Sequence, residues 1–269
     1  PFAAVFFLLA AIPTFMWVRE PPVAPVLAGA QGYLHAGFGR VRRTLTELED
    51  HRDLVVLLLS VFFTMSGIAI IITFSFIYGA QVIGWDDGVR TLMFVVVQIT
   101  AAVGALGFGV LQDRLGAVRT YRITLLLWIV TIGLIWGTPF FVDALASYAG
   151  IHWQAQHVFL VVGCASGLSL GSSQSATRTL VGLFSPLARS AEFFGFWGLS
   201  IRLAGVFGLL AIGILQALLG LHMAILFCLL LFAVAWGIAA RIDEARGRRA
   251  AAEVSAARVG SDVSAETTG

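Results

Sequence analysis

The sequence predicts an all-α membrane protein, a bundle of helices that crosses the bilayer several times. Its 269 residues are 59% hydrophobic and only 12% charged, whereas soluble globular domains carry about 25% charged residues. Apolar runs of about 18 residues or more recur along the chain, and each can span a hydrocarbon core of about 30 Å. The period-two alternation typical of a transmembrane β-barrel is absent from the sequence.

Seven apolar runs are predicted to form spanning helices. They cover residues 1–18, 54–79, 90–112, 120–141, 157–182, 193–217 and 222–240. A polar connector separates the first run from the other six, and it opens with Glu20-Pro21-Pro22, which ends a helix because proline lacks the amide hydrogen. We therefore expect one span (1–18), a connector (19–53) and a repeat of six spans (54–240).

The two ends of the chain differ in character. Pro1 opens directly inside an apolar run, so we expect the C-terminal part of a longer protein, with 1–18 as the last span of an N-terminal repeat. Residues 241–269 change from arginine-rich to Ala, Ser, Thr and Glu, and we expect a disordered tail there. Its first arginines are typical of a flank that stops membrane insertion, and contact with anionic lipid is the alternative.

The arginines predict the orientation of the spans, because cytoplasmic loops carry an excess of basic residues. All 17 basic residues are arginines. When the 19–53 connector is placed in the cytoplasm, fifteen arginines fall on the cytoplasmic side, Arg202 falls inside a span, and Arg90 alone falls outside. We therefore expect both the connector and the C terminus in the cytoplasm.

Composition argues against several functional classes. The net charge of +2 is too small to indicate nucleic-acid binding. Cys164 and Cys228 lie in apolar runs without a Cys/His ligand spacing, so we expect no metal site. An H-E-x-x-H motif and a pair of intramembrane aspartates are also absent from the sequence. We expect no enzyme, no catalytic residues and no cofactor.

The most informative stretch lies between two apolar runs and reads Gly109-Val-Leu-Gln-Asp113-Arg114-Leu-Gly116-Ala-Val-Arg119. Gly109 and Gly116 allow close helix packing and a left-handed turn, and Asp113 can cap a helix or pair with an arginine. The stretch resembles the cytoplasmic loop signature of the major facilitator superfamily of transporters, and an ordinary Asp-Arg turn is the alternative. The resemblance implies that Asp113 and Arg114 belong to a conformational latch, a charge relay that sets the balance of inward-open and outward-open states.

A second stretch, 171–195, narrows the resemblance. It is similar to the vacuole-effluxer-like branch of that superfamily, whose run GG-x-QA-x-SRS is followed by a Pro and AEFFG. The matching residues are Gly171, Gln174, Arg178, Pro186, Ala191, Glu192, Phe193, Phe194 and Gly195. The resemblance covers most of 1–240 and implies the sixth span, the connector and spans seven to twelve of a twelve-span transporter. Fungal members are thought to export amino acids from vacuoles, whereas most bacterial members lack an assigned substrate.

The sequence departs from this branch at two positions. Thr64-Met65-Ser66-Gly67 stands where many members carry Asn-Asp-Gly, and Leu209 follows Gly208 where Gly-Pro is common. The first change removes an acid from an expected cavity helix, so proton coupling through that position is in doubt. Ser66 then becomes a polar candidate for the cavity.

The fifth apolar run has a polar half. Gly163, Gly167 and Gly171 recur every four residues, which favours close helix contact. Serines and Gln174 follow, and such a face must line protein or water because lipid cannot satisfy it. The candidates for a solute cavity from this run are Ser166, Ser169, Ser173 and Gln174. Serine back-bonding and, for Gln174, a structural hydrogen bond are the alternatives.

Arg202 is the strongest single candidate for a solute contact, since it lies near the middle of the run 193–217. A charge there costs at least about 2.5 kcal/mol and marks a functional site by default. It can bind an anionic group of a solute or form a structural pair. Gln98 in the third run is a weaker cavity candidate, with an interhelical hydrogen bond as the alternative.

Together these observations predict part of a secondary active transporter. We expect it to move a small polar or anionic solute, such as an amino acid, by alternating access between two repeats. Its partners would be the solute, the bilayer and the absent N-terminal repeat or a second copy, and its location a bacterial cytoplasmic membrane. A scaffold or receptor that keeps a transporter-like fold without transport is the alternative.

Overall fold

A computed structural model describes residues 2–17, 52–149, 154–186 and 189–254. The chain divides into two compact units, Pro1–Thr46 and Glu47–Gly269. The first contains helix α1, Phe2–Trp17, with Pro13 inside it. The predicted connector lies outside the described residues except for its last two positions, which are already helical.

The second unit is a bundle of long helices. They are α2 (Arg52–Tyr78), α3 (Asp87–Leu115), α4 (Ala117–Ala149), α5 (Ala155–Phe184), α6 (Ser190–Leu219), α7 (Leu226–Ala239) and α8 (Glu244–Val254). A π-helical turn, Gly79–Ile83, extends α2, and a short helical turn, Leu221–Ala224, precedes α7. The regular elements of the described ranges are all helical, as the sequence predicts.

Five of these helices, α2 to α6, are long and apolar enough to cross a membrane. A sixth crossing is formed if α7 and α8 act as one span, although they are bent by 64° at the break between them. The predicted polytopic helical membrane bundle is therefore confirmed. α1, with 16 residues, is shorter than α2 to α6.

The segment that begins at residue 241 was expected from the sequence to be disordered, but part of it is helical in the structure. Residues 244–254 form α8, with Asp243 Oδ1 accepting the Arg246 amide hydrogen at 3.0 Å as an N-cap would. Gly247 and Ala251 are buried, and a Cβ on Gly247 would meet the Phe184 ring. Small residues rather than large apolar ones form the packed face, so a search for apolar spacing does not detect it. Residues 255–269 lie outside the described residues.

The helices pack in an uneven way. α2 packs on α6 and α7, α3 packs on α5, and α4 packs on α5 and α7. As a result, 56% of the apolar window of α2 is buried, compared with 6% for α3 and 17% for α6. Trp128 and Phe232 stack at 5.2 Å between ring centroids in the core. α3 and α6 therefore present long apolar faces to whatever surrounds the bundle.

Close packing of α3 on α5 depends on glycine. A Cβ on Gly167 or Gly171 would overlap the backbone of α3, at Val97 and Ala101 respectively. Gly104 of α3 lies in the same way against the backbone of Leu168. The close helix contact predicted from the four-residue glycine spacing is confirmed.

Candidate solute cavity

A cavity of about 170 Å³ lies between α2, α3, α4 and α5. Its polar side chains are Ser75, Gln98 and Ser166, and the rest of its wall is mainly aliphatic and aromatic. The structure therefore brings together two of the predicted candidates, Gln98 and Ser166, from helices that are far apart in the sequence. An apolar pocket with a few polar groups is the usual form of a small-molecule site.

Aromatic rings form one wall of the cavity. Trp85 lies 5.6 Å from Phe159 and 6.0 Å from Phe76 between ring centroids, and Phe76 lies 4.9 Å from Phe94. A Cβ on Gly79 would overlap the Trp85 indole, so that glycine makes room for the ring. In the sequence, Trp85 lies between two apolar runs, which is typical of a tryptophan at the membrane–water interface. Its place in the wall depends on the turn at Gly84, where φ is +68°.

Ser75 is a cavity residue that the sequence reasoning missed. It lies one helical turn after Ile71 and Ile72, which also line the cavity. A lone serine in a long apolar run can bond to its own helix, and that pattern carries no functional signal. Only the packing of α2 on the neighbouring helices reveals its position.

Ser169 and Ser173 hold α5 to α4. Ser173 Oγ accepts the Trp128 indole hydrogen at 2.8 Å and donates to the Ser169 carbonyl at 2.7 Å. Ser169 Oγ lies 3.2 Å from Thr131 Oγ1 and donates to the Ala165 carbonyl at 2.8 Å. Both serines are fully buried. Neither of these two predicted cavity residues lines the cavity.

Ser169 also stands at the centre of a G-x-S-x-G run, Gly167-Leu-Ser169-Leu-Gly171. In hydrolases this pattern marks a strained strand-to-helix turn that exposes the serine. Here the whole run lies inside α5 and Ser169 is buried. The run therefore serves helix packing, and the geometry of a nucleophile is not present at this serine.

The other cavity candidates lie elsewhere in the bundle. Ser66 is buried in α2 and donates to the Phe62 carbonyl at 2.8 Å. Gln174 is half-buried on α5. Arg202 is exposed on α6, and the described part of the chain offers it no ion pair or hydrogen bond.

The latch residues surround the turn between α3 and α4. Asp113 and Arg114 are exposed at the end of α3, and Gly116 has a φ of +90° and a ψ of 157°, a conformation with positive φ that favours glycine. Gly109 does not show the close packing expected of it, because a Cβ there would meet no described atom within 4 Å. Its side of α3 is instead open.

An unexpected carboxylate completes this turn. Glu244 Oε2 accepts the Val118 amide hydrogen at 3.0 Å and so caps the start of α4. A Cβ on Gly116 would lie 3.0 Å from the same oxygen. The sequence signal for Glu244 is weak, because it lies in a segment whose composition predicts disorder.

Two arginines tie the same end of the bundle together. Arg122 donates to the carbonyls at the end of α7, those of Ala239 at 3.0 Å, Ala240 at 2.9 Å and Ile242 at 3.1 Å. Arg246 donates to both carboxylate oxygens of the buried Asp53, at 2.5 and 2.7 Å. We call this region, formed by residues 115–122 and 239–249, the arginine-rich end.

The second motif lies where α5 passes into α6. Arg178 lies over the Trp197 ring at 5.6 Å, and Arg189 pairs with Glu192 at 2.9 Å. Of the other matched residues near this corner, Pro186 and Phe193 are buried, whereas Ala191, Phe194 and Gly195 are exposed. Backbone and side-chain contacts at this corner therefore involve most of the motif.

The fold and the cavity define a multi-pass helical membrane protein with a mainly apolar cavity between its helices. The family model described as "Vacuole effluxer Atg22 like" matches residues 1–252. The chain belongs to this family, and its relatives place it within the major facilitator superfamily.

Three relatives illustrate the similarity. The chain is 22% identical to Autophagy-related protein 22-1 of Aspergillus niger over 250 residues, which are 91% of this chain and 41% of that protein. It is 22% identical to Autophagy-related protein 22 of Coccidioides immitis over 265 residues, 95% of this chain and 44% of that protein. It is 26% identical to the uncharacterized MFS-type transporter YxiO of Bacillus subtilis over 197 residues, 73% of this chain and 42% of that protein.

The chain thus spans less than half the length of these relatives. No solved structure matches it. The family and relative names are those of an effluxer and a transporter, which agrees with the coarse functional class expected from the sequence.

Proposed function

We infer that this chain is the C-terminal part of a secondary active transporter. It would move a small polar or anionic solute across the membrane by alternating access, with an amino acid as the first candidate. Family membership and the transporter-type relative support the class. A six-helix repeat that rocks against a second repeat is the usual architecture for this mechanism.

The main structural observation behind this proposed transport function is the exposed position of Arg202. Twelve residues separate it from the first residue of α6, Ser190, which corresponds to about 18 Å along the axis. Its neighbours Leu199, Leu203 and Val206 are exposed as well. A charge at this depth is costly in lipid, so this face of α6 is better suited to a second repeat or a water-filled path. The N-terminal repeat, or a second copy of the chain, would provide that cover.

The available side chains suit a solute with a carboxylate and an apolar part. Arg202 can donate charge-assisted hydrogen bonds to a carboxylate. Gln98 and Ser166 offer polar groups inside the cavity, and the rings around Trp85 offer an apolar wall. Arg202 lies on α6 outside the cavity lining, so the two would hold an amino acid at different points of its path, with the carboxylate at Arg202 and the apolar part in the cavity. Gln174 remains a candidate contact on α5.

The latch and the orientation are part of the same proposal. Asp113 and Arg114, with Gly109, Gly116 and Arg119, would make alternative charge contacts as the repeats rock. The arginine-rich end would face the cytoplasm because basic residues accumulate there. The C terminus would then be cytoplasmic, and the membrane would be a bacterial cytoplasmic membrane.

The test is solute flux in liposomes that contain the protein expressed from its complete reading frame. Labelled amino acids and organic anions are screened with and without a pH gradient, for wild type, Arg202→Ala and Arg202→Lys. The control is Arg90→Ala, since Arg90 pairs with Asp87 at an exposed position. We expect Arg202→Ala to abolish flux of the transported solute in folded protein, with partial activity in Arg202→Lys.

Two results would contradict this account at different levels. Unchanged flux in Arg202→Ala would make this arginine structural and would move the solute site toward Gln174. Absence of flux for every solute tested in wild type would overturn the transporter assignment and favour a scaffold.

A further inference from the structure

A polar cleft of about 570 Å³ opens at the arginine-rich end, between the α3–α4 turn and the α7–α8 junction. Four arginines and two carboxylates line it: Arg119, Arg122, Arg241, Arg246, Asp243 and Glu244. The cleft is separate from the solute cavity and has no residue in common with it. Its excess of positive charge indicates an anionic occupant.

Two of the four arginines already have partners. Arg122 uses its Nε and Nη2 hydrogens on the carbonyls that end α7. Arg246 is held by the Asp53 carboxylate, which is buried. These two arginines therefore shape the cleft, because the hydrogens that they donate to these partners are already used.

The two carboxylates of the cleft are also occupied. Glu244 caps α4 through Val118 with one oxygen and accepts from Arg248 at 2.6 Å with the other. Asp243 Oδ1 accepts the Arg246 amide hydrogen at 3.0 Å. Neither acid forms an ion pair with Arg119 or Arg241 in the described structure.

Arg119 and Arg241 are thus the cleft cations without a partner among the described residues, and both are exposed. They come from different elements, since Arg119 lies in the first turn of α4 and Arg241 follows the end of α7. An anion between them would bridge α4 to the α7–α8 junction. Guanidinium groups suit phosphate in particular, because their planar donors match its oxygens.

The position of the cleft at the ends of apolar helices favours a lipid as the source of the phosphate. The cleft lies where the apolar helices α3 and α7 end, and its rim includes the exposed Leu115. This level corresponds to the headgroup region of a bilayer. Basic pockets beside helix ends in this region bind anionic lipid headgroups. We propose that Arg119 and Arg241 bind the headgroup phosphate of an anionic phospholipid in this cleft.

The test measures lipid retention rather than transport, so its outcome does not depend on the proposed function. The protein from the complete reading frame is purified in detergent with equal phosphatidylglycerol and phosphatidylcholine, and retained lipid is counted by native mass spectrometry. The test variant is Arg119→Gln/Arg241→Gln. The control variant, Arg52→Gln/Arg249→Gln, removes the same charge from exposed positions outside the cleft lining.

We expect wild type and the control variant to retain more phosphatidylglycerol than phosphatidylcholine. In the cleft variant, the ratio of retained phosphatidylglycerol to phosphatidylcholine should fall at least tenfold. Equal retention by the cleft variant would overturn the proposal, as would an equal loss in the control variant, which would indicate surface charge alone.

A competition arm adds inorganic phosphate or glycerol 3-phosphate at millimolar concentration. Displacement of the lipid by these soluble anions would assign the cleft to a free phosphate compound and overturn the lipid source. A single-cation variant, Arg241→Gln, checks the result if the double variant does not fold, and it should weaken retention several-fold.

Discussion

Ser173 Oγ accepts the indole hydrogen of Trp128 at 2.8 Å, and this bond joins α5 to α4 inside the bundle. Trp128 also stacks on Phe232 of α7 and contributes to the wall of the solute cavity. One buried indole thus connects three helices and the candidate site. The position of the cavity wall therefore depends on a serine that the cavity itself does not contact.

Removing this bond should destabilise the fold. In Ser173→Ala the Trp128 N–H loses its partner in a buried environment, which costs about 1–3 kcal/mol. Ser175→Ala, on the same helix at a half-buried position, should change stability by less than about 0.5 kcal/mol. Thermal unfolding in detergent measures both. Equal melting temperatures for the two variants would contradict the role given to the Trp128–Ser173 bond.

The glycine contact between α3 and α5 gives a second prediction. A Cβ in Gly171→Ala would overlap the Ala101 backbone, so α5 must move away at a cost of about 1–3 kcal/mol. Gly205→Ala is the matched control, since its Cβ would meet no described atom within 4 Å. That control should be neutral or stabilising by up to about 1 kcal/mol, because alanine is the better helix former. The same unfolding assay ranks the variants, and a destabilised Gly205→Ala would contradict the packing argument.

The Asp53–Arg246 pair should control the docking of α8. Asp53→Asn removes the charge that holds Arg246 and weakens the two hydrogen bonds between these side chains. Because the Arg246 side chain is 49% exposed, water screens part of this interaction, and we expect hydrogen exchange of the 244–254 amides to become several-fold faster.

Asp87→Asn is the control for this experiment. Its pair with Arg90 is exposed, at 90% and 52% for the two side chains, so the variant should leave exchange in α8 unchanged. Unchanged exchange of α8 in Asp53→Asn would show that packing of Gly247 and Ala251 holds the helix without the ion pair.

Gly116 provides a fourth prediction through comparison with Gly220. Both have positive φ, +90° and +78°, so alanine strains the backbone at either position. Only at Gly116 does the new Cβ also press on a neighbour, the Glu244 carboxylate, at 3.0 Å. Each variant should lose about 1–2 kcal/mol, and Gly116→Ala should in addition increase hydrogen exchange at Val118. Equal exchange at Val118 in the two variants would show that the Glu244 cap tolerates the methyl group.

Much of the fold can be predicted from the sequence, because the length and apolar composition of a segment indicate whether it can span a membrane. The long runs that became α2 to α6 needed only their length and apolarity. The turn at Gly116 and the glycine face of α5 were also visible, since glycine spacing carries the steric information directly. In each case the determining residues are neighbours in the sequence.

The candidate site was less predictable because it depends on pairs of distant residues. Ser166 and Ser169 are indistinguishable in the sequence, yet the first lines the cavity and the second faces Thr131. α8 was missed for the same reason, since its anchor, Asp53, is 193 positions from Arg246. Local patterns show that such residues are polar, whereas the fold decides which partner each one meets.

The low burial of α3 and α6 has a consequence for how this protein can vary. Since α2, α4, α5 and α7 form the packed core, substitutions on the outward faces of α3 and α6 change what those faces touch while the core stays intact. Arg202 lies on such a face and can therefore change without loss of the fold. Selection can therefore act on whatever these outward faces contact independently of the stability of the bundle.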